Sequence, residues 1–276
     1  DEVVNFELSS GGLVWSGNAR PIPQVRAGFI DFVDIPFTKG WVQIKGELAY
    51  GKFMDNDFLR DHYNYYNQYI TTDALYHHKS ISFRSNPDKP FVVTIGAELA
   101  AQFGGTKRYY KEGVLIDSLT MKSPTRLKDF FKILFPSSGD GQTNEGDQAY
   151  YYGNHVGQWN LSAEYRFKDN SSVRGYFEWY YDDASGMGKF NGWDGLWGLE
   201  YKSGKKNWLS NVVLEYLDMT NQSGPLNWCP SDYNDPKLDI EATGADDYYN
   251  NYFYNGWAHY GLSNGTAMAK SLLYNT

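Results

Sequence analysis

The chain has 276 residues, with 25 basic against 33 acidic side chains and a formal net charge of -8. No stretch approaches the ~20 consecutive apolar residues that a spanning helix needs, which excludes a helical membrane protein. The acidic balance and the absence of clustered Lys and Arg argue against nucleic acid as a partner. The single cysteine, Cys229, cannot build an intrachain disulfide framework.

The clearest pattern in the chain is strict alternation of apolar and polar residues, which places successive side chains on opposite faces of a strand. In residues 156–168, for example, Trp159 and Leu161 alternate with Asn160 and Glu164. This pattern predicts an all-β, antiparallel protein with one domain over residues 1–276. The candidate strands are residues 4–8, 24–32, 42–50, 80–84, 91–103, 156–168, 173–182, 193–202, 208–217 and 252–262.

The connections between these strands alternate in length. The short ones are rich in Gly, Pro, Asn, Asp and Ser, as tight turns require, and are residues 34–40, 85–90, 169–172 and 203–207. The long ones are residues 51–77, 104–155, 183–192 and 218–251. This sorting is typical of a bacterial outer-membrane β-barrel, with short turns at the periplasmic rim and long loops outside the cell.

One short helix is predicted inside the longest loop. Ser123 is a candidate cap, Pro124 suits the first helical position, and Pro136 ends the pattern. Its apolar stripe is formed by Leu127, Phe130, Phe131 and Leu134. We expect this stripe to pack into or over the mouth of the barrel, with a membrane-surface helix as the alternative.

Nearly every candidate strand contributes a carboxylate to its polar face, and several contribute a base. Unpaired ions cost several kcal/mol each in hydrocarbon, so this face must meet water or its own opposite charges. We predict an inward ladder of ion pairs, while the apolar face meets outer-membrane lipid with aromatic residues near the strand ends. The predicted ladder contains Glu47, Glu98, Glu164, Glu178, Glu200, Arg166 and Arg174.

Two of the long loops are rich in aromatic residues. Rings can stack on the apolar faces of sugars while hydroxyl, amide and carboxylate groups bind the sugar hydroxyls. The candidate sugar-binding residues are Tyr63, Tyr66, Tyr249, Tyr252 and Trp257. The alternative is a plug that is packed by these same side chains.

Catalytic and metal-binding patterns are weak. Glu178 and Asp182 could form the carboxylate pair of a glycosidase, but both also fit the ladder. His77 and His78 are adjacent and would point to opposite faces of a strand, which disfavours a metal pair. We expect no enzyme activity, no cofactor and no metal.

Several longer segments resemble the capsule-assembly Wzi family. They are NARPIPQVR at 18–26, VDIPFTKGW at 33–41, LYHHK at 75–79, AQFGGT at 101–106, LKDFF at 127–131 and GWAHYG at 256–261. The resemblance implies an outer-membrane barrel of about 18 strands with a loop-plugged lumen. It also implies a lectin-like, non-enzymatic role in holding exported capsular polysaccharide at the surface of a Gram-negative cell.

The candidate strands are too few for such a barrel, so the chain is expected to cover only part of it, with segments missing at one or both ends. Two other functions stay open at this stage. The same alternation fits an outer-membrane porin or uptake channel. A surface glycosidase that uses Glu178 and Asp182 is the weaker alternative.

Overall fold

The computed structural model describes residues 7–63, 68–144, 147–148, 151–182, 187, 192–205, 208–221 and 248–269. Within these ranges the chain is built mainly of antiparallel strands, with two short helices. The elements in chain order are β1 (Gln24–Asp34), β2 (Val42–Lys52), α1 (Asn56–Tyr63), β3 (Gln68–Ser85), β4 (Phe91–Lys111), β5 (Val114–Lys122), α2 (Leu127–Leu134), β6 (Asn154–Arg166), β7 (Ser172–Tyr181), β8 (Gly195–Lys202), β9 (Asn211–Asp218), β10 (Ala258–His259) and β11 (Leu262–Ser263).

The long strands form one 9-stranded sheet in the order β1-β2-β3-β4-β6-β7-β8-β9, with β5 paired to β4 beside this path. Neighbouring strands are antiparallel throughout. Along the edge away from β3, β4 has two partners: Phe91 opposes Tyr165 of β6, while Tyr110 opposes Leu115 of β5. β10 and β11 form a separate small hairpin.

Most predicted strands are confirmed, with ends that shift by a few residues except in β4, which continues to Lys111. They are the candidates at 24–32, 42–50, 91–103, 156–168, 173–182, 193–202 and 208–217. The segment 80–84 proves to be the end of the much longer β3. Two predicted strands differ: residues 7–8 lie in a turn, the rest of 4–8 lies outside the described residues, and 252–262 holds only short β10 and the start of β11 among turns.

Left-handed backbone conformations explain why 252–262 is not a strand. Asn255 and Tyr260 have φ of 59° and 50°, and the glycines after them, Gly256 and Gly261, have φ of 78° and 74°. Regular strand backbone has strongly negative φ, and among the described residues the only pairing near these positions is the short Ala258–Ser263 ladder. Alternation of side-chain type alone does not reveal such backbone turns.

The nine-stranded sheet has two different faces. The open face carries a row of hydrogen-bonded neighbours that is apolar from β2 to β9: Ile44, Phe83, Ile95, Leu161, Phe177, Trp197 and Tyr216. The covered face carries a polar row that runs through Glu47, Ser80, Glu98 and Gln158. Residues 9–22 and 248–266 lie on the covered face. The predicted separation of polar and apolar faces is therefore confirmed in the sheet.

The helices pack near the strand ends that lead into the long connections. α1, which the sequence analysis did not predict, packs Leu59 and Tyr63 against Ile70 of β3. For α2 the sequence predicts packing at a barrel mouth, but the structure places Phe130 and Ile133 against the open face, beside Tyr50 of β2. Neither helix in the described ranges has the length and apolar character that a membrane-crossing helix needs.

The start of α2 depends on Asp129 rather than on the predicted Ser123 cap. The helix begins at Leu127, and the Asp129 carboxylate accepts the Arg126 backbone N–H at 2.7 Å and the Arg126 side chain at 2.8 Å. Burial raises the pKa of Asp129, but the hydrogen bonds and charge of Arg126 outweigh this effect and lower the pKa overall.

We expect Asp129→Ala to lower the free energy of unfolding by about 1–2 kcal/mol, because it leaves the backbone N–H of Arg126, the N-cap of α2, without its acceptor. Urea unfolding in detergent micelles measures the difference, with exposed Asp117→Ala as the control. A carboxylate whose pKa is lowered by folding stabilises the fold at pH values above its ordinary pKa. The difference from wild type should therefore shrink as the pH falls below 3.8. An equal loss at every pH would contradict this account.

Candidate functional site

Two chain segments fill the covered face of the sheet. We call residues 9–22 and 248–266 the inner segments. They are joined to each other by the hydrogen bond from Ser16 N to Asn264 O, at 2.8 Å. Their apolar side chains form one cluster with the sheet, which includes Leu13, Val14, Phe53, Tyr76, Tyr180, Leu196, Tyr248, Tyr249, Tyr254 and Trp257.

The polar side chains of the covered face hold the first inner segment through its backbone. Glu178 accepts the N–H of Leu13 at 2.9 Å, and Gln158 accepts the N–H of Val14 at 3.0 Å. A buried backbone donor without a partner costs about 1–3 kcal/mol, so these acceptors fix where the segment lies. Glu178 is itself buried, which puts this predicted ladder residue under the inner segment rather than in an open channel.

Trp257 ties the second inner segment to the first. Its side chain is 0% exposed, and its indole N–H donates to the Val14 carbonyl at 2.7 Å. Phe53 and Tyr76 contact the indole, with ring centroids 6.4 Å and 6.2 Å away. Tyr249 donates a hydrogen bond to the carbonyl of Leu13. Trp257 and Tyr249 therefore work as packing groups.

The hairpin that follows Trp257 is held by a neutral histidine. Burial lowers the pKa of His259, against the opposing charge of Asp55. The Nε2 atom of His259 accepts the N–H of Met54 at 3.2 Å, which requires this nitrogen to carry no proton. Asp55 in turn accepts the N–H of Tyr260 at 3.0 Å. The hairpin is thus anchored beside α1 by hydrogen bonds on both sides.

A histidine stands at the centre of the predicted ladder. His78 of β3 lies between two carboxylates, with Nδ1 3.3 Å from Glu47 and Nε2 2.8 Å from Glu98. Two carboxylate partners require both ring nitrogens to donate, which is the arrangement of an imidazolium ion. Glu47 also pairs with Arg26 of β1. His78 was not among the predicted ladder residues, although its place on the polar face follows from the alternation in β3.

Four other predicted ladder residues form ion pairs, and these lie near the short-turn ends of their strands. Arg166 binds Glu164 through two hydrogen bonds, of 3.1 Å and 3.0 Å, and Arg174 pairs with Glu200 at 2.5 Å. The register places Glu164, Arg174 and Glu200 side by side on β6, β7 and β8. The covered face thus carries paired charges around His78 and again near the short-turn ends of the strands.

A cavity of about 420 Å³ lies between the first inner segment and the covered face. Its walls combine the rings of Trp15 and Tyr76 with the charged groups of Lys45, Glu98 and Glu178. Such a mixture suits a hydrophilic solute or ordered water rather than an apolar ligand. No group of three or more His, Cys, Asp or Glu that could hold a metal occurs among the described residues.

The structure separates the predicted sugar-binding residues. Tyr63, Tyr249 and Trp257 are buried and present no ring face to solvent, which favours the alternative of a plug packed by its own side chains. Tyr66 lies outside the described residues. Tyr252 is 56% exposed and is the only one of the described candidates whose ring is open to a ligand from solution.

Tyr252 belongs to a cluster of aromatic side chains at the long-loop end of the sheet. We call Tyr69, Tyr109, Tyr252 and Phe253 the tyrosine cluster. The Tyr69 ring lies 5.1 Å from Tyr109, 5.5 Å from Tyr252 and 5.1 Å from Phe253. Tyr252 is the exposed member of this cluster, and the other three side chains are partly buried. Tyr109 is not a predicted site residue, because the sequence predicts one loop over residues 104–155, whereas β4 continues to Lys111.

Comparison with known proteins adds no relative. No protein-family model, no curated protein and no solved structure matches this chain. The resemblance to the Wzi family therefore depends on the amino-acid sequences of the short segments given above.

Proposed function

We propose that this chain is part of an outer-membrane β-barrel that binds and anchors exported capsular polysaccharide at the surface of a Gram-negative cell, without catalysis. The observation that carries the proposal is the tyrosine cluster, in which exposed Tyr252 stands beside partly exposed Tyr69 and Tyr109 at the end of the sheet where the long connections lie. Aromatic faces beside hydroxyl groups are the surface that a sugar chain requires.

The membrane part of the proposal is supported by the open face. In β4, apolar side chains on this face follow one another from residue 91 to residue 99, which is about 26 Å of strand at about 3.3 Å per residue. The outward apolar band of an outer-membrane barrel is about 25 Å tall, and aromatic residues border it. Tyr165 and Tyr201, at the short-turn end of this face, fit such a border.

A plugged interior supports anchoring over free diffusion. The inner segments occupy the covered face, and they are held there by Glu178, Gln158 and the packing of Trp257. A porin or uptake channel needs a continuous water-filled path along this face. The binding of Glu178 to the Leu13 N–H also disfavours its use as a glycosidase acid, because the carboxylate is covered by protein.

We expect Tyr252→Ala, combined with Tyr69→Ala, to weaken binding of purified capsular polysaccharide about tenfold, since ring contacts contribute about 0.5–1.5 kcal/mol each. The control is Tyr201→Ala, which removes an exposed tyrosine at the opposite end of the sheet. Binding to immobilised polysaccharide and capsule retention on cells are both measured. Unchanged affinity in the double variant would contradict the proposed site, and shortening of the polysaccharide during incubation would contradict the absence of catalysis.

A further inference from the structure

Helix α2 lies on the open face of the sheet, the same face that carries the apolar rows. The Phe130 ring packs 5.4 Å from Tyr50 and 5.2 Å from Phe103, and the Tyr50 hydroxyl donates to the Phe130 carbonyl at 3.2 Å. Ile133 is fully buried against the same strands. Tyr50 stands six residues beyond Ile44 on the open face of β2, so the helix adjoins the long-loop end of the apolar rows.

The side of α2 that faces away from the sheet is also apolar. Leu127 is 77% exposed, Phe131 is 55% exposed and Phe135 is 69% exposed. Leu127 and Phe131 are four residues apart and so lie on one side of the helix, and Phe135 directly follows its last residue; we call these three the stripe. Burying side chains of this size is favourable. None of the described residues covers the stripe, which continues the apolar surface of the open face outward.

Basic residues border the stripe. Asp140 is surrounded by Arg126, Lys128 and Lys132, with nitrogen-to-oxygen distances of 2.8 Å, 2.9 Å and 3.7 Å. The Lys128 hydrogen bond and its neighbours lower the pKa of Asp140. Together with Asp129, which binds Arg126, this group contains three bases and two carboxylates. Lys79 adds a further base and donates a hydrogen bond to the Leu134 carbonyl. The polar edge of the helix therefore carries an excess of positive charge.

From this geometry we propose that α2 is an interfacial helix, with the Leu127–Phe131–Phe135 stripe among the acyl chains of the outer leaflet and the basic edge against phosphate headgroups. The inference rests on the proposed membrane placement of the open face. Continuity with the apolar rows selects lipid as the occupant, and the charge complements anionic headgroups. A surface helix of this type is buried about 5–10 Å below the headgroup level.

The depth of labelled cysteines in a bilayer tests the proposal. In a Cys229→Ser background, Phe131→Cys, Ile95→Cys and Asp117→Cys each carry an environment-sensitive fluorophore. The protein is reconstituted in vesicles of equal parts phosphatidylcholine and phosphatidylglycerol. We expect the Phe131 label to lose fluorescence to nitroxides placed near the headgroups, the Ile95 label to deep nitroxides, and the Asp117 label to aqueous iodide.

Each other outcome has a distinct meaning. If the Ile95 label is quenched by lipid but the Phe131 label responds only to iodide, the interfacial helix is overturned and the membrane placement stands. If neither label responds to lipid nitroxides, both the inference and the membrane part of the proposed function are overturned. A Phe131 label that no quencher reaches lies in a protein contact, such as one with a second copy, and this also overturns the inference.

A charge variant tests the headgroup contact separately. The double change Lys128→Gln with Lys132→Gln keeps Arg126 and its Asp129 partner. We expect the blue shift of the Phe131 label on moving from phosphatidylcholine vesicles to mixed phosphatidylglycerol vesicles to be lost in this variant. The matched control changes Lys39 and Lys89, near the short turns, to Gln. An undiminished shift in the helix variant would show that the basic edge does not meet the headgroups.

Discussion

Replacing Trp257 by alanine is expected to lower the free energy of unfolding by about 3–5 kcal/mol, the range for truncating a fully buried aromatic side chain. The indole is 0% exposed and contacts Phe53 and Tyr76. Its loss also leaves the Val14 carbonyl without the indole donor. Urea unfolding in detergent micelles measures the effect, and the control is Trp208→Ala, because Trp208 is 94% exposed.

The same variant tests whether the inner segments block a pore. Trp257 joins the second inner segment to the first, so its removal should loosen both from the covered face. We expect the wild-type protein to pass little current in a planar bilayer and the Trp257→Ala protein to pass more. High conductance in the wild type would favour the porin alternative. A loss below about 1 kcal/mol would contradict the packing role of Trp257.

The strands could be predicted because side-chain alternation is a local signal. Every residue of β6 faces one side or the other by parity, so the sequence alone separates Trp159 from Gln158. The extension of β4 beyond residue 103 could not be predicted, because the glycine pair Gly104 and Gly105 is typical of a strand end. In the structure these glycines have φ of 69° and 76°. The pairing of Thr72 with Thr106 carries the sheet past these glycines. Pairing with β3, which is distant in sequence, therefore decides where β4 ends, and no local pattern shows this pairing.

The candidate site was harder to predict for the same reason. Tyr249, Tyr252 and Trp257 lie close in sequence and are all aromatic, yet only Tyr252 is exposed. The left-handed residues between Asn255 and Gly261 turn the chain back over the sheet and bury the others. Likewise, the spacing of Leu127, Phe130, Phe131 and Leu134 predicted helix α2. The face of the sheet on which the helix packs depends on contacts with Tyr50 and Phe103.

Removing His78 should destabilise the protein for an electrostatic reason. His78→Ala takes away the cation between Glu47 and Glu98, both of which are largely buried, and leaves two like charges facing each other. Breaking a buried pair costs about 3–5 kcal/mol, and the remaining solvent contact here reduces the expected loss to about 2–3 kcal/mol. The control is His62→Ala, since His62 lies exposed on α1 and should change stability by at most about 0.5 kcal/mol.

A double-mutant cycle separates this electrostatic effect from simple loss of packing. If like-charge repulsion is the cause, adding Glu98→Gln to His78→Ala removes one of the two carboxylates and should restore about 1 kcal/mol or more. Glu47 keeps its partner Arg26 in every variant of the cycle, so the coupling reports on the His78–Glu98 contact. Additive losses would mean that His78 only fills space. A recovery would show that the covered face depends on paired charge, because an ionised carboxylate next to the inner segments needs a cation within hydrogen-bond reach.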